Sequence, residues 1–409
     1  MDTTWRIQTL YKVPPDALSL FDTKRYEVGP RVKRPHGILA RSAELENLSI
    51  PEYENLRLIM RAGEGTEKIN KPQATRLGIF VANTPGKNTQ SVVQLTGIAI
   101  GACARNVGPA LAYSRSLPSL ARETGRTLKS LVEDEKWRFQ GTELENKILC
   151  VIGLGKIGAS VANDAIKHDM QVVGYDPLLT LKKKKKGLHP KVQIASCIEE
   201  ALSGADFVTI HVPLLKGVNE GLIGKIHPLS LLKPGCSVIN YARGGLVDNA
   251  AMLMALNDET VSVYWTDFPH EAGEVIGHPR MFGTTHLGAS TLQCEKRCAM
   301  AGVKEMIEFF EFGFVGHPVN FRPFRDIPVG IASRLSMVND NVEGLINEVT
   351  ATLRKWGVNI DGTYNKANEA EGQVAYTVFD FEKPLPAGIC EEIENLSGIK
   401  WVRELRFPK

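Results

Sequence analysis

A glycine-rich turn between a predicted strand and a predicted helix constrains the fold of this 409-residue chain most strongly. The turn reads Gly153, Leu154, Gly155, Lys156, Ile157 and Gly158. It follows the apolar run 148–152, and the next predicted strand ends at Asp176. This spacing is typical of a dinucleotide-binding βαβ unit, whose glycines allow a tight turn, a close pyrophosphate and close packing of helix on strand. Because a carboxylate suits a ribose 2′-hydroxyl and would repel a 2′-phosphate, Asp176 favours NAD over NADP.

Apolar runs alternate with helix-like segments along two stretches of the chain. In the first stretch, strands are predicted within 37–41, 56–60 and 78–81. A second series runs from Lys147 to Pro269. Such alternation predicts parallel sheets with crossover helices. We therefore expect an α/β chain with a flavodoxin-like domain and a doubly wound, Rossmann-like NAD-binding domain.

The remaining segments predict helices and a different C-terminal architecture. The apolar segment 91–111 predicts one buried helix, and the charged segment 120–139 predicts a surface helix. From residue 334 onward the pattern changes to strand, helix, strand, strand, helix, strand. We expect a separate α+β module with βαββαβ order there.

Composition and charge argue against several classes of partner. Lys and Arg number 49 and Asp and Glu 46, a net charge of +3 that gives no support to nucleic acid as a partner. The most apolar stretch, 95–104, is too short and glycine-rich to span a bilayer, and the acidic residues near the N-terminus interrupt any signal-peptide core. Five lysines at 182–186 predict a solvated loop, with a polyanion or membrane-surface patch as the alternative.

The seven cysteines include Cys294 and Cys298, with no second Cys or His pair nearby to complete a zinc site. We expect reduced, buried thiols, no metal, and a cytoplasmic protein.

Two side chains downstream of the glycine turn can carry chemistry. Arg243 follows a predicted strand, and a guanidinium at that edge of a sheet can bind a carboxylate with both of its arms. A structural salt bridge is the alternative. His286 can accept a hydroxyl proton while a hydride leaves for a nicotinamide, and a purely structural histidine is the alternative.

Taken together, the motifs resemble those of the D-isomer-specific 2-hydroxyacid dehydrogenases. They are GLGKIG with Asp176, HVPL (211–214), NYARGGLVD (240–248), TDFP (266–269) and THLGAS (285–290), preceded by ILARSA (38–43), RAGEG (61–65) and NTPGKN (83–88). The resemblance extends from about residue 7 to the C-terminal module, which looks like the ACT domain found in many members.

The resemblance implies a domain division and an assembly. Residues 1–90 with 284–320 would form a substrate-binding domain, 91–283 an NAD-binding domain and 321–409 an ACT regulatory domain. Members of the family assemble as homodimers or homotetramers.

The resemblance also implies roles for single residues. Arg243 would bind the substrate carboxylate, and His286 would be the general acid/base. The cofactor contacts would come from His211, Pro213, Asn240, Ala242, Asp267 and Gly288. Arg41, Arg61 and, from a partner subunit, Arg138 would bind an anionic substrate.

Four departures from the family pattern bear on the site. Where the family places a glutamate that partners the catalytic histidine, position 272 is Ala, so we assign that role to Glu271 with Glu274 in reserve. The substrate loop carries Glu64 and Lys68 in place of small and amide residues, and Gln94 replaces a usual Glu.

In the C-terminal module, Asn341 and Gly344 match an effector-binding turn, whereas its His and Pro are missing. Serine feedback and a dimerisation module without a response to amino acids both remain open.

The function that the resemblance implies is NAD-dependent oxidation of 3-phospho-D-glycerate to 3-phosphohydroxypyruvate, the first step of serine biosynthesis. Oxidation of another D-2-hydroxy acid, or NAD sensing by a corepressor-like binding protein, are the alternatives.

Overall fold

The computed structural model describes residues 4–41, 43, 45, 53–179, 187–326, 329–367 and 374–407. The lysine run 182–186 lies outside them. The chain divides into two compact units, one formed by 1–87 with 292–409 and the other by 88–291.

The first unit begins with a five-stranded parallel sheet. Its elements are β1 (Trp5–Thr9), α1 (Pro15–Leu18), β2 (Tyr26–Gly29), β3 (Gly37–Ala40), β4 (Leu58–Arg61), α2 (Lys71–Arg76) and β5 (Phe80–Asn83). The strand order is β2-β1-β3-β4-β5, the doubly wound order of a flavodoxin-like sheet. The strands predicted within 37–41, 56–60 and 78–81 are confirmed as β3, β4 and β5.

The second unit holds a seven-stranded parallel sheet. Its elements are α3 (Thr89–Ala104), α4 (Val107–Thr124), α5 (Leu128–Glu135), β6 (Ile148–Ile152), α6 (Lys156–Ile166), β7 (Gln171–Tyr175), β8 (Gln193–Ile194), α7 (Ile198–Leu202), β9 (Phe207–Ile210), β10 (Cys236–Asn240), α8 (Asn249–Asn257), β11 (Val261–Thr266) and β12 (Met281–Gly283). The order β8-β7-β6-β9-β10-β11-β12 turns back at β6, which confirms the doubly wound prediction. Strands β9 and β10 are buried at every position, as parallel strands covered on both faces require.

Two helix predictions in this unit were wrong in extent. The segment 91–111 breaks at Asn106, whose φ of 49° lies in the left-handed region that asparagine tolerates better than most residues. The segment 120–139 breaks at Gly125, with a φ of 68°, which ends α4. Apolar or charged composition predicted continuous helices there, and single residues with positive φ interrupt them.

The first unit ends with a long helix and an antiparallel sheet. These elements are α9 (Leu292–Phe312), β13 (Ser333–Asp340), α10 (Leu345–Lys355), β14 (Gly362–Ala367), β15 (Val374–Phe381), α11 (Ile389–Glu394) and β16 (Ile399–Arg406). The sheet has the order β14-β15-β13-β16, and all of its strand pairs are antiparallel. The predicted βαββαβ order is confirmed, and we call residues 333–406 the C-terminal module.

The C-terminal module packs directly on β5 of the first sheet. Trp401, fully buried, donates its indole N–H to the carbonyl oxygen of Gly78 at 2.7 Å. The rings of Phe80 and Tyr376 meet edge to face with their centroids 5.0 Å apart. These contacts make the module and the first sheet one compact unit, so the division into three domains stays a prediction.

Candidate functional site

The glycine turn after β6 has the geometry that a phosphate group needs. Gly153 has a φ of 86°, and a Cβ there would lie 2.8 Å from the carbonyl oxygen of His211. A Cβ at Gly158 would collide with the carbonyl oxygen of Gly153. A Cβ at Gly155 would meet no atom within 4 Å, so space is open in front of α6, where Lys156 and Ile157 form the first turn. A helix N-terminus beside open space suits a phosphate.

Asp176 ties the end of β7 to this turn. One carboxylate oxygen accepts the Leu154 N–H and the other accepts the Leu178 N–H, each at 2.9 Å. An ionised carboxylate offers about four acceptor positions, so these bonds leave capacity for a ribose hydroxyl.

A second turn, after β10, presents Arg243. The side chain of the fully buried Asn240 donates to the Arg243 carbonyl oxygen at 2.7 Å and accepts the Ala242 N–H at 3.1 Å. The Arg243 guanidinium in turn donates to the Ala242 carbonyl oxygen at 2.7 Å. Asn240 therefore holds the backbone that carries Arg243. Sequence analysis assigned it to the cofactor pocket and missed this brace.

A third turn, after β11, holds the loop of His286 through Asp267, which is 1% exposed. Its carboxylate accepts the Thr284 hydroxyl at 2.5 Å and the amides of Leu287 and Gly288 at 2.7 Å each. Its backbone carbonyl accepts the His286 N–H at 3.0 Å. Asp267 thus positions the loop on both sides of His286. Its predicted contact with a nicotinamide amide stays a prediction, as does the cofactor contact of Gly288.

His286 itself has an unusual backbone and a fixed ring. Its φ is 59°, an uncommon conformation for a residue other than glycine. The imidazole packs edge to face against Phe268, with ring centroids 4.9 Å apart. A strained backbone held by its neighbours is typical of functional loops.

Glu271 lies beside the Arg243 turn. Its carboxylate fills the space where a Cβ on Gly244 would sit, and Oε1 is 3.4 Å from Nε2 of His270. Glu271 and Glu274 are both exposed, and Glu274 lies in the following helical turn. The contact of Glu271 with Gly244, which follows Arg243 in the chain, favours it over Glu274 as the carboxylate of the site. Its pairing with His286 stays a prediction.

These three turns lie along one edge of the seven-stranded sheet. In the strand register, Ile152 of β6 and Asn240 of β10 both pair with Ile210 of β9, and Asn240 also pairs with Thr266 of β11. Each turn therefore leaves the sheet at the same level. The carboxyl edge of a doubly wound sheet is where ligands bind.

His211 and Pro213 follow β9 at this edge. The His211 N–H donates to the Ile152 carbonyl at 2.7 Å, and its Nε2 lies 3.0 Å from the Thr209 hydroxyl oxygen. Burial lowers the pKa of His211 to about 3, so the ring is neutral at physiological pH. The carbonyl oxygen of Pro213 accepts the Asn219 amide at 2.8 Å. Their cofactor contacts stay predictions.

In the first unit, the structure brings Arg41 and Arg61 together at the ends of β3 and β4. The guanidinium groups of both donate to the Ala62 carbonyl oxygen, at 3.4 Å and 3.3 Å. Arg41 Nε also lies 3.6 Å from a carboxylate oxygen of Glu295. Two guanidinium groups at one point of a loop suit an anionic ligand. Glu64, the unexpected carboxylate of this loop, is exposed, and its backbone carbonyl accepts the Asn83 amide at 2.6 Å.

Sequence analysis missed two neighbours of this arginine pair. Tyr11 places a buried hydroxyl within electrostatic range of both arginines, and burial raises its pKa to about 12. Cys298 faces Arg41 from α9. The sequence held no signal for Tyr11. For Cys298 the signal was its i, i+4 spacing from Cys294, which places both on one helix face and indicates no particular chemistry.

The other predicted contact residues lie on exposed surfaces. The half-exposed guanidinium of Arg138 is 3.1 Å from Glu135. Asn341 and Gly344 are exposed in the turn between β13 and α10, where Gly344 has a φ of 86°. Their roles stay predictions.

Among the residues that the structure describes, no three His, Cys, Asp or Glu side chains are grouped as a metal ion would require. Within the same part of the chain, no helix combines the length and apolarity needed to cross a bilayer.

Comparison with known proteins agrees with this geometry. Residues 111–288 match the family described as the NAD-binding domain of the D-isomer specific 2-hydroxyacid dehydrogenases. D-3-phosphoglycerate dehydrogenase of Sus scrofa is 29% identical over 341 residues, which cover 80% of this chain and 57% of that protein. The protein of the same name from Methanocaldococcus jannaschii is 35% identical over 251 residues, covering 60% of this chain and 44% of that protein. The chain thus spans about half the length of the curated relatives it matches.

Solved structures show the same fold. D-mandelate dehydrogenase of Rhodotorula graminis, 19% identical, superposes with a TM-score of 0.67 over 80% of this chain and all of that one. NAD-bound 3-phosphoglycerate dehydrogenase of Entamoeba histolytica, 23% identical, gives a TM-score of 0.59 over 78% of this chain and 99% of that one. Residues 111–288 thus match the NAD-binding domain of the D-isomer specific 2-hydroxyacid dehydrogenases, and the chain is similar to the proteins named D-3-phosphoglycerate dehydrogenase.

Proposed function

We propose that the chain is an NAD-dependent dehydrogenase that oxidises 3-phospho-D-glycerate to 3-phosphohydroxypyruvate, the first step of serine biosynthesis. One observation carries the proposal. Asn240 braces the turn of Arg243 and Asp267 braces the loop of His286, at the ends of neighbouring strands of one sheet. The names of the relatives support the choice of substrate.

Three residues at the carboxyl edge of the seven-stranded sheet each have a separate role in the reaction. The Arg243 guanidinium binds the substrate carboxylate and orients C2. The His286 imidazole accepts the proton of the C2 hydroxyl. The carboxylate of Glu271, beside the Arg243 turn, stabilises the imidazolium that forms.

The glycine turn and Asp176 fit NAD. The open space at Gly155 lies before the N-terminus of α6 and would receive the pyrophosphate, while Asp176 would accept a ribose hydroxyl. When bound, NAD supplies the acceptor for the hydride that leaves C2.

The substrate phosphate needs further cations. Arg41 and Arg61, whose guanidinium groups meet at the Ala62 carbonyl, supply them in this proposal. Arg138 of a second copy would be an additional contact.

We propose further that residues 321–409 are an ACT domain, that 1–90 with 284–320 bind substrate and that 91–283 bind NAD. The βαββαβ order supports the ACT assignment. A serine effector would bind at Asn341 and Gly344, which share an exposed turn. The exposed apolar side chains of Leu111 and Trp137, 54% and 70% exposed, support assembly as a homodimer or homotetramer. All seven cysteines are free thiols, which suits the cytoplasm.

The test is NADH absorbance with purified protein, run in both directions with 3-phosphoglycerate and with phosphohydroxypyruvate. Arg243→Ala and His286→Ala should each lower turnover by about 100-fold or more and leave the Kd for NAD within about twofold. Loss of NAD binding in both variants would contradict these roles. NAD binding without turnover of either substrate would contradict this substrate assignment. It would favour oxidation of another D-2-hydroxy acid, or NAD sensing, as the function.

A further inference from the structure

Two cysteines in the first turns of α9 lie in contact beside Arg41. The Sγ atoms of Cys294 and Cys298 are 3.9 Å apart, and both residues are almost fully enclosed, with exposures of 0% and 1%. Neither cysteine is part of a disulfide. Arg41 and Thr84 face Cys298, and the Arg41 side chain is itself only 14% exposed.

The surroundings of Cys298 differ from those of the other enclosed thiols. Hydrogen bonds from Cys294, Thr84 and Arg41 hold the pKa of Cys298 below its ordinary value, which favours its thiolate form. By contrast, burial raises the pKa of Cys103 to about 12 and also raises the pKa of Cys150. The thiolate is the reactive form of cysteine, so the contact of Cys298 with Cys294 and Arg41 favours reaction there over reaction at Cys103 or Cys150.

We propose that Cys294 and Cys298 form a peroxide-sensitive dithiol, in which Cys298 is oxidised first and Cys294 closes a disulfide with it. Neither cysteine takes part in hydride transfer in this proposal. The pair would be a modification site that adjoins the arginine pair at the ends of β3 and β4.

The chemistry balances with hydrogen peroxide as the oxidant. The Cys298 thiolate attacks one peroxide oxygen, so an S–O bond forms, the O–O bond breaks and hydroxide leaves. The sulfur of Cys294 then loses its proton and attacks the Cys298 sulfur, so the S–S bond forms and the S–O bond of the sulfenic acid breaks. The hydroxide that leaves Cys298 takes up the Cys294 proton as water. Two electrons pass from the two sulfurs to the peroxide, which ends as water and hydroxide.

The position of the pair at the beginning of α9 makes closure feasible. Residues four apart on a helix have Cβ atoms about 5–6 Å apart, whereas a disulfide needs about 3.5–4.5 Å. The first helical turn must therefore loosen, and helix ends open at low free-energy cost. Peroxide is scarcely larger than water and reaches enclosed groups during such opening. The strain left in the closed turn makes the disulfide readily reducible.

Oxidation would act on Arg41. In its thiolate form, Cys298 is an anionic neighbour of the guanidinium, and Glu295, the other anionic neighbour, lies in the same turn of α9. Closing the disulfide removes the first and moves the second, so the orientation of Arg41 changes. If Arg41 binds substrate as proposed above, oxidation raises the KM for 3-phosphoglycerate several-fold. This last consequence rests on the proposed function, and the disulfide itself does not.

The experiment treats the full chain with about one equivalent of hydrogen peroxide, alkylates the remaining thiols and maps tryptic peptides without reduction. Trypsin cuts after Lys296 and Arg297, so the disulfide would join peptides 281–296 and 298–304, and dithiothreitol would separate them. We expect this linked pair to form at least tenfold faster than Cys103 or Cys150 is oxidised. The exposed Cys197 is the control for simple access to reagent.

Two variants assign the order of events. Cys294→Ser should stop at a sulfenic acid on Cys298, detected with dimedone, and Cys298→Ser should leave Cys294 reduced. Unchanged thermal midpoints would show that both variants fold. Oxidation of Cys197 while the pair stays reduced would overturn the proposal, and so would equal oxidation of Cys294 in Cys298→Ser. A linked pair in a protein that does not turn over 3-phosphoglycerate would contradict only the proposed function.

Discussion

The backbone N–H of His286 donates to the carbonyl oxygen of Asp267 at 3.0 Å. The Asp267 carboxylate meanwhile accepts the two amides that follow His286 in the chain. Asp267, at the end of β11, therefore helps to hold the loop on the seven-stranded sheet from both sides of His286. A side chain that must take a proton at one point in space needs such a fixed backbone.

Asp267→Asn tests this support. The substitution keeps the shape, but an amide nitrogen would face one of the N–H or O–H donors that the carboxylate now accepts. We expect the free energy of unfolding to fall by about 2–4 kcal/mol and kcat/KM to fall about 100-fold or more. Urea unfolding and steady-state kinetics measure the two effects. Asp258→Asn is the matched control, because that carboxylate is exposed and accepts the Thr260 N–H. Turnover like that of the unmodified chain would refute the positioning role of Asp267.

Asn240→Ala tests the brace under Arg243. The change leaves the Arg243 carbonyl and the Ala242 N–H without their partner, so the guanidinium loses its fixed base. We expect KM for the hydroxy acid to rise about tenfold, with a smaller change in kcat. Asn365→Ala, which removes a bond to Thr377 in the C-terminal module, should leave KM unchanged. If both variants raise KM alike, the effect is not specific to the Arg243 turn.

The low pKa of His36 predicts how the free energy of unfolding of the first unit depends on pH. Its Nδ1 accepts the Arg6 N–H at 3.0 Å, and burial together with Arg6, Arg57 and Arg403 lowers its pKa to about 4. An unfolded histidine titrates near 6.5. Between these values the unfolded chain binds more protons, so stability is full above about pH 6.5 and falls as the pH drops toward 4.

The His36 contribution to this loss should be about 2 kcal/mol, allowing for partial solvent screening. Chemical unfolding at several pH values measures it. His36→Gln should flatten the dependence, whereas His168→Gln, a histidine of the second unit, should preserve it. An unchanged slope in His36→Gln would show that other groups are responsible.

Comparing Gly78→Ala with Gly125→Ala separates the free-energy cost of backbone strain from the cost of crowding. Gly78 lies against the C-terminal module, and Gly125 ends α4 in the second unit. Both glycines have positive φ, 73° and 68°. A Cβ on Gly78 would lie 2.9 Å from Cβ of Lys400, while a Cβ on Gly125 would meet nothing within 4 Å. We expect Gly125→Ala to cost about 1 kcal/mol and Gly78→Ala about 3 kcal/mol, measured by urea unfolding. Equal losses of unfolding free energy in the two variants would mean that the C-terminal module moves away from the added methyl group at no free-energy cost.

Much of the fold was accessible from the sequence because its signals are local. Alternating apolar runs predicted both parallel sheets, and the run 334–407 predicted the order of the C-terminal module. The glycine turn predicted an NAD site, and the family match over 111–288 confirms that domain. The helix breaks at Asn106 and Gly125 were missed, because a positive φ at one residue outweighs the composition of its neighbours.

The sequence by itself determined which residues end the strands of the second sheet, since strand periodicity and turn chemistry act over a few positions. Only the tertiary structure decided what those residues do for one another. In the folded chain, Asn240 holds the turn of Arg243 and Asp267 holds the loop of His286. Cys298 lies beside Arg41, and Trp401 donates a hydrogen bond to Gly78. The last two contacts link residues hundreds of positions apart, and only packing of the folded chain can bring such residues together.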